Sequence, residues 1–385
     1  MPSVRFFAPD TDAFVDSVKR HAPEFTAETG IDLDLRIIGS DEYFSNAISS
    51  YLDGAEAADV YMSGPVLLWQ HIAAGFVEPL DSFLAQASDE FDPGDFFPSL
   101  LSCNRWSGRF GGRLGEGPLW VAREDAVYWV DIKGKALHRL KLGDEAHATW
   151  PMPEMLGWIV ERRDRPGFIA GFKTGFARLY LEPLRIEPIW APEPHLPHSR
   201  MNDAAVDRAG RIWAGTMDDR EQEPTGCLYS LDGSGRCSTH DTGYVVSNGP
   251  AFSPDHDVLY HTDTTQRVIY RFALAADGVL GKREPFVTFP EDWGSPDGMA
   301  TDVEGAIWVA HWGGGRVSRF LPDGRLDRAI ELPVKQVTSC CFAGPNLERL
   351  FVTTASIGCD DEPLAGCLFE VTPGVRGAPT YAYAG

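Results

Sequence analysis

Six short strand cores recur along residues 127–355, and this repeat limits the possible folds more than any other feature of the chain. Their reference positions are separated by 40, 44, 48, 47 and 43 residues, counting through Trp129, Ile169, Trp213, His261, Trp308 and Phe351. A period of about 45 residues made of β-type residues is typical of propellers, in which each repeat forms one small sheet. Six repeats therefore predict a mainly β chain with six blades around a central channel.

Residues 1–108 follow a different pattern, in which β and α elements alternate. Strands are predicted at residues 4–7, 33–38 and 58–62. Apolar residues at helical spacing predict two helices between and after them, through Phe14, Val18 and Phe25, and through Tyr43, Phe44, Ile48 and Tyr51. The alternation predicts a small α/β segment over residues 1–108, followed by the propeller over residues 109–385. We expect the apolar helix face to be buried against the propeller or in a homo-oligomer.

Charge and composition restrict the partners of the protein. The chain of 385 residues has a net charge of −22, and an acidic surface repels phosphate backbones, so nucleic acid is not an expected partner. No apolar run approaches the roughly 18 residues of a membrane span, and no membrane partner is expected. The seven scattered cysteines include no C-x-x-C pair, which is typical of reduced thiols. With no secretory apolar region at the start, a cytoplasmic location is expected.

Four clusters with the character of loops place oxygen ligands beside glycine or proline near the start of a repeat. They are Gly115-Glu116-Gly117-Pro118, Arg200-Met201-Asn202-Asp203, Ser247-Asn248-Gly249-Pro250 and Ser295-Pro296-Asp297-Gly298. Equivalent positions of different repeats converge at one mouth of a propeller. Carboxylate and amide oxygens suit a hard divalent cation such as Ca²⁺, Mg²⁺ or Mn²⁺. Each cluster alone is better explained as a turn, since Asn-Gly and Asp-Gly are common turn residues. Their joint placement at the starts of repeats makes the ligand role equally well supported.

Other catalytic schemes find little support in the chain. It contains neither an H-E-x-x-H motif nor a G-x-S-x-G motif. His261 and His311 lie in strand cores and could approach the channel, but a structural role is favoured over a catalytic one for both.

Several segments of the second part resemble the gluconolactonase/regucalcin (senescence marker protein) family. They are G-E-G-P-L-W at 115–120, Y-W-V-D-I at 128–132, R-M-N-D-A at 200–204, G-R-I-W-A-G-T-M at 210–217, S-N-G-P at 247–250, Y-H-T-D-T at 260–264 and P-D-G-M at 296–299. The likeness extends from about residue 112 to the C-terminus. Within this family the chain is most similar to bacterial sugar lactonases such as xylonolactonase.

The resemblance implies a six-bladed β-propeller that hydrolyses a small sugar lactone, such as xylono- or gluconolactone, to the aldonic acid. It implies one divalent metal ion, Ca²⁺ or else Zn²⁺, Mn²⁺, Mg²⁺ or Fe(II), held by Glu116, Asn248 and Asp297. Arg200 and Asn202 are implied as substrate-binding residues. In this mechanism the metal polarises the lactone carbonyl and Asp297 is the catalytic base that activates water.

Two other functional classes stay open at this point. One is a propeller hydrolase of the phosphotriesterase or arylesterase type, and the other is a non-catalytic module that binds calcium or a sugar. Residues 1–108 resemble the start of an ABC-transporter sugar-binding protein, through residues 25–31, 58–61 and 69–81. Family members begin with a strand that completes the last blade, and here residues 99–109 are expected to supply it.

Overall fold

A computed structural model of the chain describes residues 3–10, 12–39, 59–61, 112–144, 146–359 and 361–385. The chain divides into two compact units, residues 1–95 and residues 96–385. Within these described ranges, none of the helices has the length and apolar character needed to cross a bilayer.

The described residues of the first unit form a small parallel sheet and one helix. Its elements are β1 (Ser3–Pro9), α1 (Asp12–Thr29), β2 (Asp32–Ile38) and β3 (Val60–Tyr61). β1 lies in the centre and pairs in parallel with both β2 and β3, with α1 forming the connection to β2. The prediction of a small α/β segment at the start of the chain is therefore confirmed. The second apolar stripe, from Tyr43 to Tyr51, lies outside the described residues, so its burial stays a prediction.

Six antiparallel sheets follow one another along the second unit and form the blades. Blade 1 comprises β4 (Gly115–Val121), β5 (Ala126–Asp131), β6 (Ala136–Lys141) and β7 (His147–Pro151). Blade 2 comprises β8 (Leu156–Glu161), β9 (Phe168–Phe172), β10 (Gly175–Leu181) and β11 (Leu184–Trp190). Blade 3 comprises β12 (Ser199–Val206), β13 (Ile212–Asp218), β14 (Gly226–Leu231) and β15 (Cys237–Tyr244).

The remaining blades have the same order of strands. Blade 4 comprises β16 (Ser247–Phe252), β17 (Val258–Asp263), β18 (Val268–Ala273) and β19 (Glu284–Thr288). Blade 5 comprises β20 (Ser295–Thr301), β21 (Ile307–Trp312), β22 (Arg316–Phe320) and β23 (Leu326–Glu331). Blade 6 comprises β24 (Val337–Ala343), β25 (Arg349–Thr354) and β26 (Phe369–Val371). Two 3₁₀ turns, Ala122–Glu124 and Glu291–Trp293, complete the elements of this unit that the structure describes.

The six predicted strand cores all lie in the second strand of a blade, which confirms the six-bladed propeller. The first strands, β4, β8, β12, β16, β20 and β24, contact one another in sequence, and β24 contacts β4. At this closure the Thr338 hydroxyl donates to the carbonyl of Gly115 at 2.6 Å, and Leu114 bridges to Ala355. The predicted closing strand, residues 99–109, lies outside the described residues.

A buried aspartate fixes the inner hairpin of two blades. In blade 5 the Asp302 carboxylate accepts hydrogen bonds from the indole nitrogen of Trp308 at 2.9 Å and from Arg319 Nε at 2.7 Å. In blade 3 Asp207 accepts the indole hydrogen of Trp213, also at 2.9 Å. Both tryptophans are fully buried, so each aspartate satisfies the polar edge of a core side chain. This is why the repeat reads Asp, then Gly, then Ile-Trp.

The chain beyond β26 crosses the lower end of the channel, opposite the candidate site. The backbone nitrogen of Ala378 donates to Thr301 of blade 5, and that of Tyr383 donates to Glu161 of blade 2, both at 2.8 Å. Residues 378–381 close the floor of a channel cavity of about 160 Å³. Cys340 and Cys341, also beside this cavity, are buried free thiols in β24.

Candidate active site

The four clusters predicted as loops lie inside the first strands of blades 1, 3, 4 and 5, so the loop prediction is wrong. Each strand contains one extra residue relative to its neighbour, because the pairing register shifts between Glu116 and Leu119, Met201 and Ala204, Asn248 and Ala251, and Pro296 and Met299. Bulges need the same residues as turns, and Gly117 and Gly249 take φ values of +50° and +75°. A bulge also redirects side chains, which here places them at the upper mouth of the channel.

The three predicted metal ligands come from three blades and are all buried. Glu116 is 4% exposed on β4, Asn248 is 2% exposed on β16, and Asp297 is 4% exposed on β20. The carboxyl groups of Glu116 and Asp297 lie close enough to shift each other's pKa.

Three buried carboxyl groups share this region with little positive charge. Burial, followed by the charge of Asp203, raises the pKa of Glu116 to about 8. Burial also raises the pKa of Asp203 to about 7, against the opposing effect of two backbone N–H donors. Burial and then the charges of Glu116 and Asp203 raise the pKa of Asp297 well above its ordinary value. Such a group of anions is stable in ionised form only beside a cation.

The oxygen atoms that remain available match a hard divalent cation. Asp297 Oδ1 is buried without a hydrogen-bond partner among the described residues. Asp203 differs, because its oxygens accept the backbone N–H groups of Ala204 at 2.8 Å and Gly249 at 3.1 Å. No three His, Cys, Asp or Glu side chains converge as metal ligands within the described ranges. The side chains that suit a divalent cation are therefore the carboxylates of Glu116 and Asp297 and the amide of Asn248. The Asp203 carboxylate is instead bonded to the backbone.

The two predicted substrate-binding residues are joined to this set by hydrogen bonds. Asn202 Nδ2 donates to Asn248 Oδ1 and to the carbonyl of Ser247, both at 2.7 Å. Asn202 Oδ1 in turn accepts a hydrogen bond from Arg200 Nη1. Asn248 Nδ2 donates to Thr264 at 2.8 Å, so the Asn248 amide has a fixed orientation. The structure thus joins Arg200, Asn202 and Asn248 by hydrogen bonds, and the carboxyl group of Glu116 lies close enough to Arg200 and Asp297 for both to shift its pKa.

Three further residues belong to the site and were not predicted as site residues. Asp219 accepts hydrogen bonds from Arg200 Nε at 2.7 Å and from Lys133 at 2.6 Å. This ion-pair network fixes the guanidinium of Arg200. Asp203 could have been identified from the sequence, because it directly follows Asn202, a predicted site residue. Lys133 and Asp219 could not be identified in this way, because they are 86 residues apart and meet only in the folded ring.

His261 and His311, the two histidines considered for catalysis, are buried in the second strands of blades 4 and 5 and are held neutral. His261 is fully buried in β17, burial lowers its pKa to about 3, and its ring meets the edge of Tyr244 at 4.7 Å between centroids. His311 donates from Nδ1 to the carbonyl of Trp293 at 2.9 Å, and burial lowers its pKa to about 4. Both environments are those of structural histidines.

Comparisons with known proteins match the second unit. A sequence profile of the SMP-30/Gluconolactonase/LRE-like region matches residues 114–356. A 6-deoxy-6-sulfogluconolactonase from Pseudomonas putida is 37% identical over 278 residues, which are 71% of this chain and 95% of the relative. A pentonolactonase from Haloferax volcanii is 36% identical over 279 residues, which are 70% of this chain and 94% of the relative.

The propeller unit is also similar to a solved structure. Regucalcin from Agrobacterium tumefaciens, described as a calcium-binding protein, superposes with a TM-score of 0.67 at 28% identity over 71% of this chain and 94% of its own. The matching profile begins at residue 114, so the likeness of residues 1–108 to a sugar-binding protein stays a prediction. Over its propeller, the chain belongs to the SMP-30/gluconolactonase/LRE-like family.

Proposed function

We propose that this protein is a metal-dependent hydrolase that opens a sugar lactone to the aldonic acid. The observation that carries the proposal is the buried pair of carboxylates, Glu116 and Asp297, beside the amide of Asn248 and next to Arg200 and Asn202. Two relatives more than 35% identical to this chain are named lactonases, which supports the same chemical class.

The cation would be held by Glu116, Asn248 and Asp297. Ca²⁺ is the first candidate, because these ligands are all oxygen atoms, with Mg²⁺, Mn²⁺, Zn²⁺ and Fe(II) as the other candidates. When bound, a divalent cation supplies a positive charge that polarises a carbonyl oxygen and stabilises the negative charge developing on it.

The protein's own residues supply binding and proton transfer. Asp297 would take a proton from a water molecule as that water attacks C1, and the lack of a hydrogen-bond partner for its Oδ1 among the described residues supports this role. The new C1–O bond forms, the bond from C1 to the ring oxygen breaks, and the same proton is returned to the leaving ring oxygen. The products are the hydroxyl group and the carboxylic acid of the open aldonic acid.

Arg200 and Asn202 would orient the sugar. The guanidinium of Arg200 is already fixed by Asp219 and by Asn202, so it loses little freedom when it binds a hydroxyl group. Aldonolactones are neutral, whereas the ionised product is an anion. The three buried carboxyl groups of the site therefore oppose retention of the product more than binding of the substrate.

A second candidate function is calcium binding without catalysis, which the description of the Agrobacterium regucalcin as a calcium-binding protein favours. Turnover of D-xylonolactone, D-gluconolactone and paraoxon, each with and without added divalent metal, separates the alternatives. We expect metal-dependent hydrolysis of the lactones and little turnover of paraoxon. Binding of calcium with no turnover of any of the three would reject the lactonase proposal in favour of the binding module.

A further inference from the structure

We propose that the outer hairpin of blade 1 carries a second metal site, formed by His138, His147 and Thr149, that binds a transition-metal cation such as Cu²⁺ or Zn²⁺. His138 lies on β6, and His147 and Thr149 lie on β7, the last strand of the blade. The candidate metal ligands of the lactonase centre all lie in first strands, so the two sites share no strand. The inference therefore does not depend on the proposed lactonase function.

Strand pairing places these side chains on one face of the blade. His138 pairs directly with Thr149, and His147 precedes Thr149 by two residues, so all three side chains project from the same face. Trp129 of β5 pairs with His138 and extends the row toward the inner strands. The Trp129 and His138 rings stack with their centroids 5.1 Å apart, and the His138 and His147 centroids are 5.5 Å apart. The indole therefore supports the His138 imidazole from the inner side.

One donor atom from each of the three residues contributes to a small triangle. His138 Nδ1 lies 3.3 Å from His147 Nε2 and 3.0 Å from Thr149 Oγ1, and the third side, from Thr149 Oγ1 to His147 Nε2, is 3.4 Å. Ligand atoms bound at about 2.0–2.1 Å to one tetrahedral cation are about 3.3–3.4 Å from one another. The triangle therefore has nearly the dimensions of one face of such a coordination shell, and water can take the fourth position. A hydrogen bond between the two imidazoles gives a similar separation, so metal binding has to be measured directly.

The donor atoms select the class of cation. Imidazole nitrogen suits Cu²⁺, Ni²⁺ and Zn²⁺, whereas Ca²⁺ and Mg²⁺ prefer oxygen ligands. Of the divalent first-row metals, Cu²⁺ binds such a site most tightly. Histidine ligates a metal in its neutral form, and burial lowers the pKa of both rings, that of His138 to about 4. Both imidazoles are therefore ready to ligate at pH 7.

The surroundings of the triangle favour a cation that arrives from solvent. His147 and Thr149 are exposed, so a metal ion reaches the donor atoms without any opening of the blade. The Asp131 carboxylate lies close enough to His138 to favour a positive charge on its ring. The same negative charge attracts a bound metal ion.

Copper distinguishes this site from the lactonase centre through the ligand atoms. The full chain is kept in excess Ca²⁺, which suits the oxygen ligands of the lactonase centre, and is titrated with Cu²⁺ in a buffer that does not bind copper. Calorimetry gives the affinity, and electron paramagnetic resonance detects nitrogen ligands by their hyperfine splitting. His147→Gln removes one imidazole at an exposed position, and His195→Gln, at an exposed position between blades 2 and 3, is the matched control. Thermal unfolding without copper checks that each variant is folded.

We expect the wild type to bind one Cu²⁺ with nitrogen hyperfine splitting. His147→Gln should weaken this binding about 10-fold or more and reduce the splitting, because a direct ligand contributes at least as much as the outer partners whose loss costs roughly 10–100-fold in affinity. The control should bind copper as the wild type does. Equal affinity in the wild type and His147→Gln, equal losses in both variants, or copper bound without nitrogen splitting overturns the site. Absence of copper binding to the wild type also overturns it and leaves the hydrogen-bonded pair of imidazoles as the explanation of the contact.

Discussion

The two ends of the propeller channel are built from the same six inner strands, yet they differ in chemistry. The upper end contains Glu116, Asn202, Asn248 and Asp297, all buried. The lower end is lined by side chains such as Val206, Phe252 and Met299 and is closed by residues 378–381. One end therefore concentrates buried carboxyl and amide groups, whereas the other has a largely apolar lining and is crossed by the C-terminal segment.

The bulge marks the boundary between these two halves. The bulge itself and the residues above it carry the side chains of the candidate site at the mouth of the channel. Below it, regular pairing resumes and the residues join the apolar core, as Leu119 pairs with Tyr128 in blade 1. The β8 and β24 strands show a register shift of the same kind, so all six inner strands have one. The comparison teaches that the ring is a constant scaffold and that the candidate site depends on the few residues at the bulges and above them.

The largest effect is expected from Asp297→Ala at the upper end. The change removes a side chain proposed both as the base and as a metal ligand, so turnover of a sugar lactone should fall about 10²–10⁴-fold and metal content should fall with it. Steady-state kinetics and metal analysis of the same sample measure both. Asp277→Ala, an exposed carboxylate in a turn of blade 4, is the control that should retain both properties.

At the lower end, Tyr383→Ala should affect stability and spare catalysis. Tyr383 is 5% exposed, and its hydroxyl donates to the carbonyl of Asp232 at 2.8 Å. Its loss should cost about 3–5 kcal/mol of unfolding free energy and lower Tm by about 10 °C, while kcat at low temperature stays unchanged. Thr380→Ala, exposed on the same segment, should have no effect. A large loss of kcat with unchanged Tm would contradict the division between the two ends.

These two ends were predictable to different degrees. The six-bladed ring followed from the 45-residue period, because each strand core fills the equivalent place in its own blade. The positions of Glu116, Asn248 and Asp297 followed from family motifs. The strand conformation of these residues could not be predicted, because glycine and proline are typical of both turns and bulges. The crossing of the lower end by the C-terminal segment was not predicted either, since Tyr383 contacts a partner more than 150 residues away in the chain.

An intermediate effect is expected from Asn202→Ala. Loss of a substrate contact should raise KM for the lactone about 10-fold. Because Asn202 Nδ2 also orients the oxygen of Asn248, metal affinity should weaken as well, by roughly 10-fold or more. Kinetics at saturating metal and a metal titration separate the two effects. Asn346→Ala, an exposed asparagine of blade 6, should change neither quantity.

The smallest effect is expected from His261→Leu, and it depends on pH. Burial lowers the pKa of His261 from 6.5 to about 3, so between these values the unfolded chain binds a proton that the native ring does not. This contribution to stability is complete above pH 6.5 and is lost progressively as the pH falls toward 3. The difference in Tm between pH 7.5 and pH 5 should therefore be smaller in the variant, by the equivalent of about 1–2 kcal/mol. An equal decrease in wild type and variant would show that His261 does not cause it. His195→Leu, at an exposed position, is the control.

Metal removal tests the central claim most directly. The enzyme is stripped with a chelator, its metal content is verified, and hydrolysis of D-xylono-1,4-lactone is followed as one divalent cation is added back. We expect no turnover in the stripped protein and full turnover after one equivalent of metal per chain, because the proposed ligands Glu116, Asn248 and Asp297 make up one site. Full activity in a verified metal-free sample would contradict the account.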